Sequence, residues 1–319
     1  MTPREKFIKA LRREPITGHV PHFELVFYLT MEAFGKLHPD QRKYHQWNQM
    51  SHTERKLHIE DMAQLYIDTA ERYHHSAIFC HPNPGDFDST VALLECIREK
   101  SGDKYFLMLH GDPTYSMPNG NDMMEFTARL YEDGDSLKEH AQKRTEGSLA
   151  HALRLRAAGE GLVDGFALCS DYCFNTQPFF SPALFEEFIV PYLKQVTTGY
   201  HELGYYVIKH TDGNINPIAA QMVDCGPDAL HSLDPQGGVN FAEIRRLYGD
   251  RVSLIGNVNC GLLQTGTQEQ CEENIRQTLR TGLEAPGFIF STSNCVYTGL
   301  PLERYELMHR IWREEGIYR

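Results

Sequence analysis

The chain has 319 residues, 41% of them hydrophobic, enough for the buried core of one large barrel or of two smaller domains. A formal net charge of −12 argues against nucleic acid or an anionic membrane as partner, because either needs a basic face. Nowhere do about 18 apolar residues run together, and the opening MTPREKFIKALRR carries charges at helical spacing in place of an apolar signal core. A soluble, cytoplasmic protein is expected, in which eight cysteines (80, 96, 169, 173, 225, 260, 271 and 295) read as thiols or metal ligands and not as a disulfide framework.

Residues 2 to 14 predict an amphipathic helix, with Thr2 as N-cap and Pro3 in the first turn. VPHFELVFY (20 to 28) is a strand with Glu24 in its middle, and 30 to 73 is polar and helical. SAIFC (76 to 80) is a second strand opening into the turn-rich HPNPGDFD, followed by a helix over 90 to 100. KYFLMLHGDP (104 to 113) and VDGFALCSDY (163 to 172) are the third and fourth strands, separated by a long charged helical stretch from 121 to 156. From 181 to 204 the pattern is helical with Ser181 as cap, Pro182 at the first position, and a kink or break at Pro191.

Four further apolar runs follow: VIKHTDG (207 to 213), ALHSLDP (229 to 235), SLIGNVNC (253 to 260) and FIFSTSNC (288 to 295). Helical patterns separate them at 216 to 224, 240 to 248 and 268 to 284, and a helix over 302 to 316 closes the chain. Eight strand and helix units predict an α/β fold, a single (β/α)8 TIM barrel domain over 1–319 with an N-terminal helical extension. A doubly wound sheet is the alternative. The glycine patterns GxGxxG and GxxxxGK[ST] are absent from the sequence, so a dinucleotide or P-loop site has no support.

In such a barrel the carboxyl ends of the strands gather at one rim, where chemistry is done. The last four runs end near His210, Asp234, Cys260 and Cys295, which predicts a metal site. Cys260 and Cys295 lie in polar GNVNCG and TSNCVYTG settings, unusual for inert core thiols. Thiolates with an imidazole or a carboxylate suit zinc, and three protein ligands would leave a position for substrate. His210 and Asp234 compete for the third place, and Asp212 is a weaker candidate because HTDGN equally suits an Asx turn with Gly213. Asp171 and Tyr172 precede CFNTQPFF, a loop able to form an aromatic wall, and Glu24 in an apolar strand needs a partner. His81, between prolines, reads as a loop residue.

GDKYFLMLHGDPTY, SPALFEEFIVPYL, YVIKHTDGN, LHSLDP, LIGNVNC with LLQTGTQEQ, and FSTSNCVYTGLPLERYELM together resemble the uroporphyrinogen decarboxylase-like superfamily, from about residue 2 to 316. The resemblance implies a TIM barrel, and either a tetrapyrrole decarboxylase or a zinc methyltransferase serving a corrinoid protein. The decarboxylases carry an Arg-Gln-Ala-Gly-Arg segment at the first strand and an aspartate after the second, where this chain has HFELVFY and Phe79-Cys80-His81. A polyanionic tetrapyrrole would thus meet Glu24 and no arginine. Coenzyme M methyltransferases have His-x-Cys on the fifth strand; here His210-Thr211-Asp212 lacks the first thiol, although Cys295 matches the later cysteine. Methyltransferases that demethylate aromatic methyl ethers hold zinc by an aspartate and two cysteines, which Asp234, Cys260 and Cys295 could reproduce.

The expectation is therefore O-demethylation of a small aromatic methyl ether, with the methyl group passed to a corrinoid protein. Zinc would be held by Cys260, Cys295 and either Asp234 or His210, the catalytic side chains would be Glu24, Asp171 and His210, and Tyr172, Phe174, Phe179 and Phe180 would line the substrate. The alternatives are tetrapyrrole decarboxylation and methyl transfer from a corrinoid to a thiol.

Overall fold

The computed structural model describes residues 1–318. Its short first and last strands, β1 (Gly18–His19) and β9 (Ile317–Tyr318), form a separate antiparallel pair. Between them runs a parallel sheet in sequence order: β2 (Ala77–Phe79), β3 (Phe106–His110), β4 (Gly165–Cys169), β5 (Tyr206–His210), β6 (Ala229–His231), β7 (Ser253–Val258) and β8 (Phe288–Thr292). Parallel neighbours in unbroken order, each joined by helix, are what a barrel requires.

The stretch 20–28, expected as the first strand, closes that barrel without forming a regular ladder. His22 makes parallel bridges to both His75 and Phe290, and Phe27 bridges to Val296. The amide of Phe23 donates to the Phe290 carbonyl at 3.1 Å, and the amide of Ser76 donates to the His22 carbonyl at 2.7 Å. One short segment thereby ties β8 to the chain just before β2.

Alternation divides each strand between two cores. Ala167, Ile208, Ala229, Ile255 and Ile289 point into the barrel, while Phe166, Val207, Leu230, Leu254 and Phe288 face the helix layer. The helix Pro3–Leu11 seals the amino end of the barrel with Phe7, Ala10 and Leu11. It starts where the sequence predicts, in a capping box between Thr2 and Glu5. Arg4 donates to Asp164 at 2.6 Å, and Ser253 Oγ donates to the carbonyl of Ala10 at 2.7 Å, so the plug is fixed to two strand starts.

The outer helices follow the predicted pattern, the break at Pro191 included, with two differences. The 30–73 region is a short helix (Thr30–Phe34), two 3-10 turns and one long helix (His52–Arg72) whose start Ser51 and Glu54 cap. The charged stretch after β3 is two helices, Met123–Glu132 and Gly134–Ala158. Pro191 marks a break, between helices Pro182–Phe188 and Val190–Glu202, because it has no amide to continue the ladder. Among the described residues no helix is long and apolar enough to cross a membrane.

Candidate metal centre at the barrel mouth

Inward positions at the carboxyl ends of neighbouring strands fall side by side. Cys169 on β4 pairs with His210 on β5, which pairs with His231 on β6. Beyond β5 the chain turns through His210-Thr211-Asp212-Gly213, and beyond β4 through Asp171. These two exits bring Asp171, His210 and Asp212 together, with ligand atoms within 4.8 Å of one another. The Nε2 atom of His210 lies 3.8 Å from Asp171 Oδ1 and 3.7 Å from Asp212 Oδ1. Both separations can be bridged by one ion with bonds of about 2.0–2.2 Å.

Two observations favour a cation there. Asp212 Oδ1 is buried and accepts no hydrogen bond among the described residues, a state that costs free energy unless something positive completes it. Burial, then the charge of Asp171 and after it that of Asp234, push the Asp212 carboxyl up to about 7, against the nearby Ser232 hydroxyl and donation from Asn294. His210 is shifted the other way by burial, so its ring is neutral and able to ligate at neutral pH. The Asp171 side chain, 49% exposed, leaves the group open to the mouth.

Glycine shapes the turn that aims Asp212. Gly213 has φ +78°, and a Cβ there would meet the Phe174 and Cys173 carbonyl oxygens at 2.6 and 2.7 Å. A Cβ on Gly237 would in turn come within 2.2 Å of the Gly213 carbonyl carbon. The turns after β5 and β6 are thus in backbone contact. Gly213→Ala should cost about 2 kcal/mol or more in urea unfolding, with loss of metal uptake; an effect under about 0.5 kcal/mol would show that the turn relaxes at little cost.

The other expected site residues are placed differently. Asp234 is occupied by its own turn: Oδ1 accepts from the Gln236 amide at 2.9 Å, and Oδ2 from the Gly213 amide at 3.2 Å. Cys260 is buried at the start of helix Cys260–Thr265, its Sγ 3.9 Å from the Cys295 carbonyl oxygen. Burial raises both thiols, Cys260 and Cys295, to about 12; for Cys295 the charge of Asp212 comes next. Among the described residues, Asp234, Cys260 and Cys295 do not form a three-donor group with one another, although Cys295 follows the Asn294 that binds Asp212. Glu24 is buried beside the carboxyl end of β8, between His22, Ser291 and Thr292, and its charge adds to the rise of both Cys260 and Cys295.

Of the expected aromatic wall, Tyr172 and Phe180 have no exposed surface and so belong to the core. The Tyr172 ring covers Lys209 at 4.1 Å and meets Phe185 edge-on. Phe174 and Phe179 are half-buried at the rim, with ring centroids 6.5 Å apart. The sequence reading did not single out His231 or Cys169, both within apolar runs. Alternation along the two strands, counted from the apolar residues facing inward, was the one signal that would have placed them beside His210.

Residues 113–314 match the family model described as uroporphyrinogen decarboxylase (URO-D), which is more than half of the chain. The chain belongs to the uroporphyrinogen decarboxylase family. Over 145 residues the chain is 27% identical to "Methylcobamide:CoM methyltransferase MtaA" of Methanosarcina barkeri (strain Fusaro), covering 44% of this chain and 40% of that protein. A second Methanosarcina barkeri protein of the same name is 27% identical over 146 residues, again 40% of its length. The matched part of the chain thus spans about two fifths of these curated relatives. A solved structure described as a methyltransferase from Methanosarcina mazei superposes over 99% of both chains with a TM-score of 0.74 at 19% identity, which establishes the shared barrel.

Proposed function

We propose that this member of the uroporphyrinogen decarboxylase family is a metal-dependent methyltransferase that moves a methyl group between a corrinoid, carried by a partner protein, and a small molecule at the barrel mouth. The observation that carries the reading is the unpartnered Asp212 Oδ1 facing His210 Nε2 beside Asp171. Asp171, His210 and Asp212 would hold the ion, with Cys295, whose thiol feels the charge of Asp212, able to add to the set. Zinc is the ion proposed, since it accepts imidazole, carboxylate and thiolate together. When bound, such an ion supplies Lewis acidity toward the heteroatom that gives up or receives the methyl group.

The chain's own residues do the positioning. Asn294 donates to Asp212 Oδ2, and the Asp212 amide donates to Asp171 Oδ1 at 3.3 Å, so the two acids are held in register. Phe174 and Phe179 offer aromatic faces at the rim. Two carboxylates and one imidazole are harder donors than thiolates, which favours an ether oxygen. An aromatic methyl ether as donor and a corrinoid protein as acceptor is therefore the first substrate reading. The names of the Methanosarcina barkeri relatives favour a second, transfer from a methylcobamide to a thiol.

One experiment separates them. Zinc-loaded protein is mixed either with cob(I)alamin and a panel of aryl methyl ethers, or with methylcob(III)alamin and a panel of thiols, and the corrinoid spectrum is followed. Conversion of cob(I)alamin to methylcob(III)alamin by an ether, lost on chelation, is expected. Transfer only to thiols would replace the ether reading, and no metal-dependent transfer in either direction would overturn the function.

A further inference from the structure

Only one nitrogen of the His210 ring can face Asp171 and Asp212. The other, Nδ1, lies 2.7 Å from Nδ1 of His231. Two nitrogens at that distance share a single hydrogen, and the far side of His231 decides which ring carries it. Nε2 of His231 lies 3.2 Å from the Thr292 carbonyl oxygen. A carbonyl only accepts, so this nitrogen bears a hydrogen.

His231 is 2% exposed, and its contacts are an imidazole, a carbonyl and a hydroxyl, with no carboxylate touching it. A buried ring so surrounded is neutral, which leaves its Nδ1 with a lone pair. The shared hydrogen therefore sits on His210 Nδ1, and His210 Nε2 keeps its lone pair toward the two acids.

A second tier fixes His231 in turn. Ser291 Oγ lies 3.4 Å from His231 Nε2 and donates to Glu24 Oε2 at 3.2 Å. The same Glu24 oxygen accepts from the Thr292 amide at 3.1 Å and the Thr292 hydroxyl at 2.5 Å. Glu24 Oε1 faces His22 Nε2 at 3.2 Å, and the side chains of both are fully buried. From His210 through His231 and Ser291 the donors all point toward the Glu24 carboxylate, the one group in the row that only accepts.

We infer that His231, anchored on Thr292 and through Ser291 on Glu24, is a positioning residue that holds His210 in the tautomer whose Nε2 takes the metal ion. The inference rests on the proposed metal centre and adds the element that prepares it. Hydrogen-bonded partners of ligating histidines commonly change metal affinity by about 10–100-fold when removed.

The test uses metal-free full-length protein as wild type, His231→Phe, His231→Gln and Ser291→Ala. Zinc affinity is measured by chelator competition, Co(II) binding by its absorption spectrum, and folding by thermal melts. The Phe variant is expected to bind zinc about 10–100-fold more weakly, with an altered Co(II) spectrum, and Gln, which can still accept at His210 Nδ1, to recover part of the loss. Ser291→Ala should weaken binding several-fold. Wild-type affinity in a folded His231→Phe protein would overturn the inference.

Should that variant not fold, nitrogen-15 NMR of the metal-free wild type reads the tautomer directly: a hydrogen on His210 Nδ1 supports the assignment, and one on Nε2 overturns it. Wild-type protein that takes up no metal would instead overturn the proposed centre, an outcome separate from the NMR reading.

Discussion

Asp212→Asn should lower zinc affinity by on the order of a hundredfold or more, yet raise the melting temperature of the metal-free protein at pH 8. The two effects have one cause. In the unfolded chain Asp212 gives up its proton near the ordinary 3.8, whereas in the folded, metal-free chain it keeps it until about 7. Between those values the native state binds more protons than the unfolded state, so the stability of the metal-free protein falls as pH rises through that window. An asparagine keeps the hydrogen bond with Asn294 and removes the buried charge, and with it the fall.

Metal binding reverses the preference, because the ion displaces the proton. Wild-type affinity should therefore weaken as pH drops below about 7. Chelator competition at pH 6 and pH 8, with melts of the stripped protein at pH 5 and pH 8, would measure both. Unchanged affinity in the Asn variant would remove Asp212 from the centre.

The second large effect lies behind the site. Lys209 Nζ donates to Asp112 Oδ2 at 2.8 Å and to the Ser170 and Leu168 carbonyls at 2.9 and 3.2 Å, and neither side chain of the pair is exposed. Burial pushes the Asp112 carboxyl up, but the charge and hydrogen bond of Lys209, with donors on Thr114, outweigh it and hold the group below its usual value. Lys209→Met would leave that carboxylate buried and without its counter-charge, and should cost about 3–5 kcal/mol in urea unfolding. Adding Asp112→Asn should restore a large part of the loss, since the stranded charge is then gone. A single-variant cost below about 1 kcal/mol would mean that water reaches Asp112 and that the pair does not clamp the ends of β3, β4 and β5.

Why the barrel was legible and its centre only partly so comes down to turns. Each strand reads as a buried apolar run that stops at a polar residue, a pattern set by local burial. HTDGN and LDPQG, by contrast, are nearly alike in a sequence, each an aspartate before turn residues. The sequence ranks Asp234 with His210 for ligation and Asp212 behind them, because HTDGN equally suits an Asx turn. In the structure Asp234 accepts the amide two residues on, while Asp212 is held by Asn294 from β8's exit, 82 positions away. Nothing local distinguishes the two. Asp171, His210, Cys260 and Cys295 could be named from strand ends; that His210 meets Asp171 and not Cys260 depends on the order of strands around the barrel. Glu24 was recognised as needing a partner, but the partners, His22, Ser291 and Thr292, are contributed by the seam between the two ends of the chain.

The backbone contact between Gly213 and Gly237 bears on how such a protein can diversify. Two turns that interlock cannot be lengthened or reshaped one at a time, so residues 212–214 and 235–238 form a unit that should tolerate change jointly or not at all. The side chains of Asn175, Thr176 and Gln177, exposed at the tip of the loop carrying Phe174 and Phe179, lie outside that interlock, although the Thr176 carbonyl accepts from the Asn214 side chain at 3.0 Å. A library built to alter substrate preference should yield active variants from that tip and almost none from the paired turns.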